Sequence, residues 1–327
     1  MMESTDLVLY KSVTVSDALV NGGRMSYTQV TSNVLNNMFP NVSESERTAG
    51  VTRYRKFFYK NKNASGETAS NSRVWISRRS DGGDYFRIKA GTNVDTQAEA
   101  DDYTNWLGAG YLYNAVGTDA TRMDVVFDTN NGVYNSSLIR ISDNSGKEEF
   151  LTVKSSGGVS WNGNIATILT TTCFRSGYPA SQDVLISAVI DIGNIVASTD
   201  NWVENGSGTY DEATYPVVVN NVGTVEDSWT LQFTSQTAFT VTGTNTGLVG
   251  AGVVGSDFSP VNTNIGTGDY YFTILSAGWG GTWTLGDTVT FQTHHSASPV
   301  WVKEVVPALT SSQTNNQFNL KLYAEGA

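Results

Sequence analysis

Short apolar runs separated by turn residues recur along this chain, and the period of two within them predicts strands rather than helices. Residues 7–15 read as an opening strand, and Asn21-Gly22-Gly23 as a turn whose glycines are free to take positive φ. Ser43 and Glu46 stand at capping-box spacing, which predicts one helical turn within 41–47. Thr96 and Glu99 repeat that spacing and predict a second short helix. Residues 74–77 and 85–88 flank Ser80-Asp81-Gly82-Gly83-Asp84, the pattern of paired strands joined by a loop.

From about Asp128 the texture changes. Residues 138–142 and 149–153 read as a hairpin around Asp143-Asn144-Ser145-Gly146, and Asn162-Gly163 is the strongest hairpin signal in the chain. Residues 183–195 form a continuous apolar strand that returns to the first domain, and the polar stretch 201–208 reads as a loop. Seven short strands follow, at 217–219, 229–233, 239–242, 270–275, 288–293, 300–305 and 318–323, with the spacing of an immunoglobulin-like sandwich. Residues 250–255 fit a Gly-x-Gly-x-x-Gly spacing but lack a βαβ unit around them, so they read as a loop. The expected fold is therefore mainly β and multi-domain, built of antiparallel sandwich or barrel domains. Its parts are residues 1–127 with 186–205, an inserted small barrel or sandwich at 128–185, and a C-terminal immunoglobulin-like sandwich at 206–327.

Composition narrows the function classes. Hydrophobic residues make up 39% of the 327 and charged residues only 16%, so the charge ladders of long surface helices are missing. Lys and Arg number 20 against 31 Asp and Glu, a net charge of −11, which argues against direct nucleic-acid binding because phosphate affinity comes from cationic side chains. No stretch approaches the ~20 apolar residues that cross a bilayer, and the first residues lack a signal-peptide pattern, so assembly in a cytoplasm without membrane contact is expected. The single cysteine, Cys173, excludes an intrachain disulfide and reads as a buried, inert thiol.

Chemistry-bearing patterns are sparse. His294 and His295 are adjacent, point to opposite faces of a strand and have no third ligand, so neither a metal site nor a cofactor is expected. Asp81 with Asp84, Asp101 with Asp102, and Asp128 with Asn130 read as solvated turn carboxylates rather than calcium ligands. No nucleophile elbow or phosphate loop is present, and no catalytic residue is expected. The segment 51–60 differs. Arg53, Tyr54, Arg55, Phe57, Phe58 and Tyr59 do not sort into one apolar and one polar face, which predicts burial against neighbours on both sides, as at the centre of an interface. Trp279 and Trp283 read as core or interface anchors at a loop, and join the candidate interface residues. Changing Arg53 and Arg55 to Glu is expected to leave the chain folded and to impair assembly.

One resemblance adds to this reading. It rests on Asn21-Gly22-Gly23-Arg24-Met25-Ser26-Tyr27, Asn37-Met38-Phe39-Pro40-Asn41-Val42, Glu46-Arg47-Thr48-Ala49-Gly50 and Arg53-Tyr54-Arg55-Lys56-Phe57-Phe58-Tyr59-Lys60. It continues at Ala90-Gly91-Thr92, Asp95-Thr96-Gln97, Glu149-Phe150-Leu151-Thr152, Gly286-Asp287-Thr288-Val289-Thr290-Phe291 and Pro299-Val300-Trp301. In these words the chain resembles an uncharacterised family of virion structural proteins encoded among the head–tail and tail genes of contractile-tailed bacteriophages. The resemblance implies a virion subunit made in the bacterial host cytoplasm and repeated as a ring-forming homo-oligomer at the neck or collar or around the tail. Its partners would be other head–tail connector, tail or sheath proteins. The alternative is a receptor- or carbohydrate-binding decoration or fibre module that uses the C-terminal sandwich and its Trp-bearing loop.

Overall fold

A computed structural model of the chain describes residues 2–101 and 104–326. Strand makes up 49% of it and helix 5%, far from the one-third helix of an ordinary mixed domain, so the protein is mainly β. The first part holds β1 (Leu7–Thr14), β2 (Gly22–Val30), β3 (Val51–Asn61), β4 (Ala69–Arg78) and β5 (Tyr85–Ala90). Next come β6 (Ala109–Leu112), β7 (Arg122–Val126), β8 (Leu138–Ser142), β9 (Glu148–Thr152), β10 (Val159–Asn162), β11 (Ile165–Leu169) and the long β12 (Ser181–Ile195). The last part holds β13 (Ser198–Asn205), β14 (Gly208–Tyr210), β15 (Asp227–Phe233), β16 (Ala238–Gly243), β17 (Gly247–Val253), β18 (Trp279–Gly281), β19 (Thr288–His294), β20 (Ala297–Val306) and β21 (Asn319–Gly326).

The two α-helices sit where their capping residues predict. In α1 (Glu44–Ala49) the Ser43 N–H donates to Glu46 Oε2 at 2.7 Å, the Glu46 N–H donates back to Ser43 Oγ, and Gly50 ends the helix at φ 80°. In α2 (Gln97–Asp101) the Thr96 N–H donates to Glu99 Oε2 at 2.6 Å. Asp102 lies outside the described residues.

Three sheets carry the architecture. A five-stranded antiparallel sheet runs β2-β1-β3-β20-β5, and its face packs on β4, β21 and the end of β12 through Phe57, Tyr59, Val74, Ile76, Val300 and Val302. A nine-stranded sheet runs β10-β11-β7-β6-β12-β4-β21, with β8 on β12 and β9 on β8. Around the upper half of β12 this sheet curls over a core that runs in sequence from Leu112 to Ala188. The ends of β9 and β11 meet at the single bridge Val153↔Thr170, so the curl stops short of a closed barrel. The third sheet, β13-β19-β15-β16-β17, is faced by the β14–β18 pair and by extended segments bridged at Val218↔Thr273, Phe258↔Ile274 and Val261↔Tyr270. These layers enclose an aromatic core of Tyr210, Trp229, Phe233, Phe239, Phe272, Trp283 and Phe291.

Several placements differ from the sequence reading, each for a physical reason. The strands read at 300–305 and 318–323 leave the C-terminal sandwich: β20 inserts between β3 and β5, and β21 pairs with β4. Periodicity reports that a strand is buried but not which distant strand it pairs with. The strands at 74–77 and 85–88 are not partners, because β4 and β5 belong to different sheets and the loop between them crosses from one layer to the other. The stretch 201–208 is mostly β13, an edge strand that turns Trp202 inward and shows polar groups to solvent, which makes it look like a loop in sequence. Most of 250–255 is likewise strand, the end of β17. Cys173 is exposed rather than buried, since the apolar run of β11 ends before it.

Candidate functional site

The cation-rich strand read as an interface is the middle of the five-stranded sheet. Its alternation sorts once both neighbours are known. Phe57 and Tyr59 enter the core shared with β4, and Arg53 and Arg55 share their face. Tyr54 packs on the other side with Trp106, Ala100 and Trp301. Phe58 is fully buried and meets His295 edge-on at 5.9 Å. The Arg53 Nε lies 2.9 Å from Glu304 Oε2 in a buried pair, and Arg53 Nη1 donates to the Pro40 carbonyl. Arg55 Nη1 donates to Asp17 Oδ1 at 2.6 Å and to the Ser16 carbonyl. Both guanidiniums therefore have partners within the chain, and the strand is buried from Arg53 to Asn61. Changing Arg53 to Glu would bury a second carboxylate against Glu304, whose own carboxyl burial already pushes up to about 7. Such a variant is therefore expected to lose stability rather than to stay folded as the sequence alone suggests, and urea unfolding measures the loss.

Trp279 and Trp283 are also occupied internally. Trp283 is 2% exposed and stacks on Phe233 with ring centres 4.3 Å apart. The half-buried Trp279 meets Trp283 and Tyr210 edge-on. The Trp283 ring is sealed in the core, so the two rings do not form a paired sugar-stacking platform.

The residues that recur in the distant sequence words gather into one sealed knot. Lys56 Nζ sits 2.6 Å from Asp95 Oδ1, with side chains 0% and 2% exposed, and donates to the Gly23 carbonyl. Burial pulls the Lys56 amine below its ordinary value, and Asp95 opposes that pull. Trp301 Nε1 donates to Asp95 Oδ2 at 2.8 Å. Asn21 Nδ2 donates to the Tyr54 carbonyl and to Gln97 Oε1. Gly22, at φ 105°, lets the backbone pass the Trp301 ring: a Cβ there would sit 2.7 Å from its edge. Gly91 is pressed against the same ring. A lysine–aspartate pair so enclosed locks the hairpin end of β2, the α2 loop and β20 together, and leaves no room for a substrate.

A second polar cluster joins the framework to the sandwich. Ser296 Oγ lies within hydrogen-bond distance of the carbonyls of Asn61 and Asn221, between which its single O–H is shared, and receives a hydrogen bond from Lys60 Nζ. Asn221 Nδ2 reaches the Glu67 carbonyl. His294 bridges Glu226 at 3.0 Å and Asp200 at 3.1 Å, and these carboxylates outweigh its burial and raise it. His295 is driven down to about 4 by burial and by Lys60. Burial, with Lys62 nearby, brings the Lys60 amine down to about 7 from 10.5. The native state therefore binds fewer protons than the unfolded chain between those values, so stability rises with pH across that window and the full penalty is present below it. Lys60→Met is expected to raise stability near neutral pH by on the order of 2–4 kcal/mol, with the gain vanishing above pH 10.5. Urea unfolding at pH 7 and pH 10 checks this; equal stability of both proteins at pH 7 would refute it.

The side chains that reach solvent lie elsewhere. Val13 at the end of β1 and Val15, Leu19 and Val20 in the turn after it are exposed, as are Leu248, Val253 and Val261 along one flank of the sandwich. A hollow of about 160 Å³ lies between the β4–β5 loop and Asp128; Arg79 pairs with Asp128, and Asp84 Oδ1 accepts from Ser80 and Asn316 while its Oδ2 is buried without a hydrogen-bond partner. Among the described residues no three His, Cys, Asp or Glu side chains group as metal ligands, and no helix is long and apolar enough to cross a membrane. The flank at 247–261 escaped the sequence reading. Its signal was there to find: residues 243–268 hold one charged side chain, Asp257.

No family model and no curated protein matches the chain. The solved structure of a conserved protein of unknown function from Pseudomonas aeruginosa PAO1 is similar at 8% identity over 79% of this chain and 90% of that one, with a TM-score of 0.07, too low to bear on fold or function.

Proposed function

We propose that this chain is a structural subunit of a contractile-tailed phage particle, repeated in a ring at the neck or collar or around the tail, and working by binding neighbouring copies and other virion proteins. What supports this is the wording of the sequence together with one structural observation. The words at 21–27, 53–60, 95–97 and 299–301, which carry the likeness, supply Gly22, Lys56, Asp95 and Trp301 to the sealed knot. They serve packing and not chemistry, as the words of a structural family would. The framework they lock is closed by β20, so strands before and after the sandwich in sequence share one sheet.

Mass spectrometry of purified particles from a phage encoding this chain is expected to find it in multiple copies, and antibody labelling to place it at the neck or tail. Its absence from washed particles would end the proposal. Specific binding to a host-glycan array by the isolated chain would instead favour the receptor-binding alternative.

A further inference from the structure

We propose that β17 is a self-association edge, and that two copies of this chain pair their β17 strands antiparallel to join two sandwich sheets into one. The argument starts from how the other sheet edges are protected. An exposed edge presents unpaired N–H and C=O groups, and soluble proteins blunt such edges with charge, proline or bulges. The edge strand β13 carries Asp200 and Glu204, β21 carries Lys321 and Glu325, and β9 begins with two glutamates. The edge strand β2 carries Arg24 and pairs with β1 through two register breaks, and β5 carries Arg87 and Lys89. Of the sheet-terminal strands of five residues or more among the described residues, β17 alone has no charged side chain.

The surroundings of β17 extend the same character. The segment from Phe258 to Val261 forms the edge of the opposing layer, and Phe258 packs against Gly250 and Gly252, so both edges open on one flank. Pro260 removes an N–H from the opposing edge, which leaves β17 as the edge able to pair. Leu248, Val253 and Val261 are 70%, 46% and 45% exposed there. The lone charge, Asp257, is turned to Ser276, whose N–H and Oγ both donate to it.

Charge decides the occupant. Copies of a chain with net charge −11 repel one another across most faces, and the uncharged flank at 243–268 is where that repulsion is least. The sequence of the edge is also self-complementary. A bulge at Val249 interrupts pairing with β16 and leaves Gly250–Val253 as the regular run. An antiparallel two-fold centred in that run sets each Val253 across from the partner's Gly250, and each Ala251 across from Gly252, so every larger side chain faces a glycine. The contact is isologous and requires nothing of the phage reading.

Sedimentation velocity of the full chain over a wide concentration range is expected to show a monomer–dimer equilibrium, and Val253→Lys to weaken it at least tenfold, since two like charges then flank the two-fold. At a concentration where the wild type is monomeric, thermal unfolding of the variant should match it, because Val253 is 46% exposed. A wild-type chain that stays monomeric at the highest concentration overturns the proposal, as does a dimer that survives the substitution. Should the variant fail to fold, hydrogen exchange on the wild type decides: the amides of 250–253 must gain protection as concentration rises, and concentration-independent exchange there is equally fatal.

Discussion

A chain ending at Ser296 is expected to lose its N-terminal framework, while a fragment of residues 197–296 folds alone. The reason lies in where β20 sits. It pairs with β3 from Ala297↔Lys60 to Val306↔Val51, and on its other side with β5 from Val300↔Ala90 to Val305↔Tyr85. Removing it opens both ladders at the centre of a sheet and strips Val300, Trp301 and Val302, each 0% exposed, from two cores. Burying large side chains of this kind stabilises by about 1.5–3 kcal/mol each, against a total stability of roughly 5–15 kcal/mol, so the framework cannot survive the loss. It also removes Glu304 and leaves the Arg53 guanidinium buried without its carboxylate. Residues 197–296, by contrast, keep β13 to β19 and the whole aromatic cluster from Tyr210 to Phe291. The fragment 206–327 loses β13, which pairs with β19, and carries β20 and β21 without partners. Near-UV circular dichroism and urea titration should show a cooperative 197–296 fragment, a 1–296 chain without fixed aromatic packing in its first part, and an aggregating 206–327 fragment. A cooperative 206–327 fragment beside a disordered 197–296 would contradict the pairing.

That experiment also marks where the sequence stops being legible. Features fixed by a few neighbouring residues could be read directly: the Ser43/Glu46 capping box, the Asn162-Gly163 hairpin with Gly163 at φ 59°, and the opposite environments of His294 and His295. The unsorted pattern of 51–60 did signal burial on both faces. It could not say that the neighbours are β20 beside it in the sheet and β4 and α2 over its two faces, because pairing between residues 60 and 297 leaves no local trace. Within the chain Arg53, Arg55 and Trp283 are buried, so the reading of the tryptophans as core or interface anchors falls on the core side, and 53–60 is buried as the pattern asked. Aromatic and Arg side chains mark a desolvated place, and the centre of a fold and the centre of an interface are desolvated alike. What is left for partners is surface with little residue-level signature, such as β17, visible in sequence only as a lack of charge.

Asp95→Ala is expected to destabilise the protein by about 3–5 kcal/mol, because it leaves the Lys56 ammonium and the Trp301 N–H buried without their carboxylate. Part of the positive charge would still meet the carbonyls of Gly23 and Asp95, which are neutral and cannot replace a counter-ion at 2.6 Å. The buried amine would then lose its proton more easily, since burial already lowers it and Asp95 is the first partner opposing that. The variant should therefore regain stability as pH rises toward the alkaline range, where the native state can hold Lys56 neutral, while the wild type gains less. Asp95→Asn keeps an acceptor for Trp301 and removes only the charge, so its loss should fall between wild type and Asp95→Ala. Combining Lys56→Met with Asp95→Asn removes both charges and should recover most of the difference, giving a coupling of more than about 1 kcal/mol in a double-mutant cycle. Urea unfolding of the wild type, Asp95→Ala, Asp95→Asn, Lys56→Met and the double variant at pH 7 and pH 9.5 measures all of this. If Asp95→Ala unfolded at the wild-type midpoint, or if the two sites proved additive, the lysine–aspartate pair would not be what ties β2, the α2 loop and β20 together.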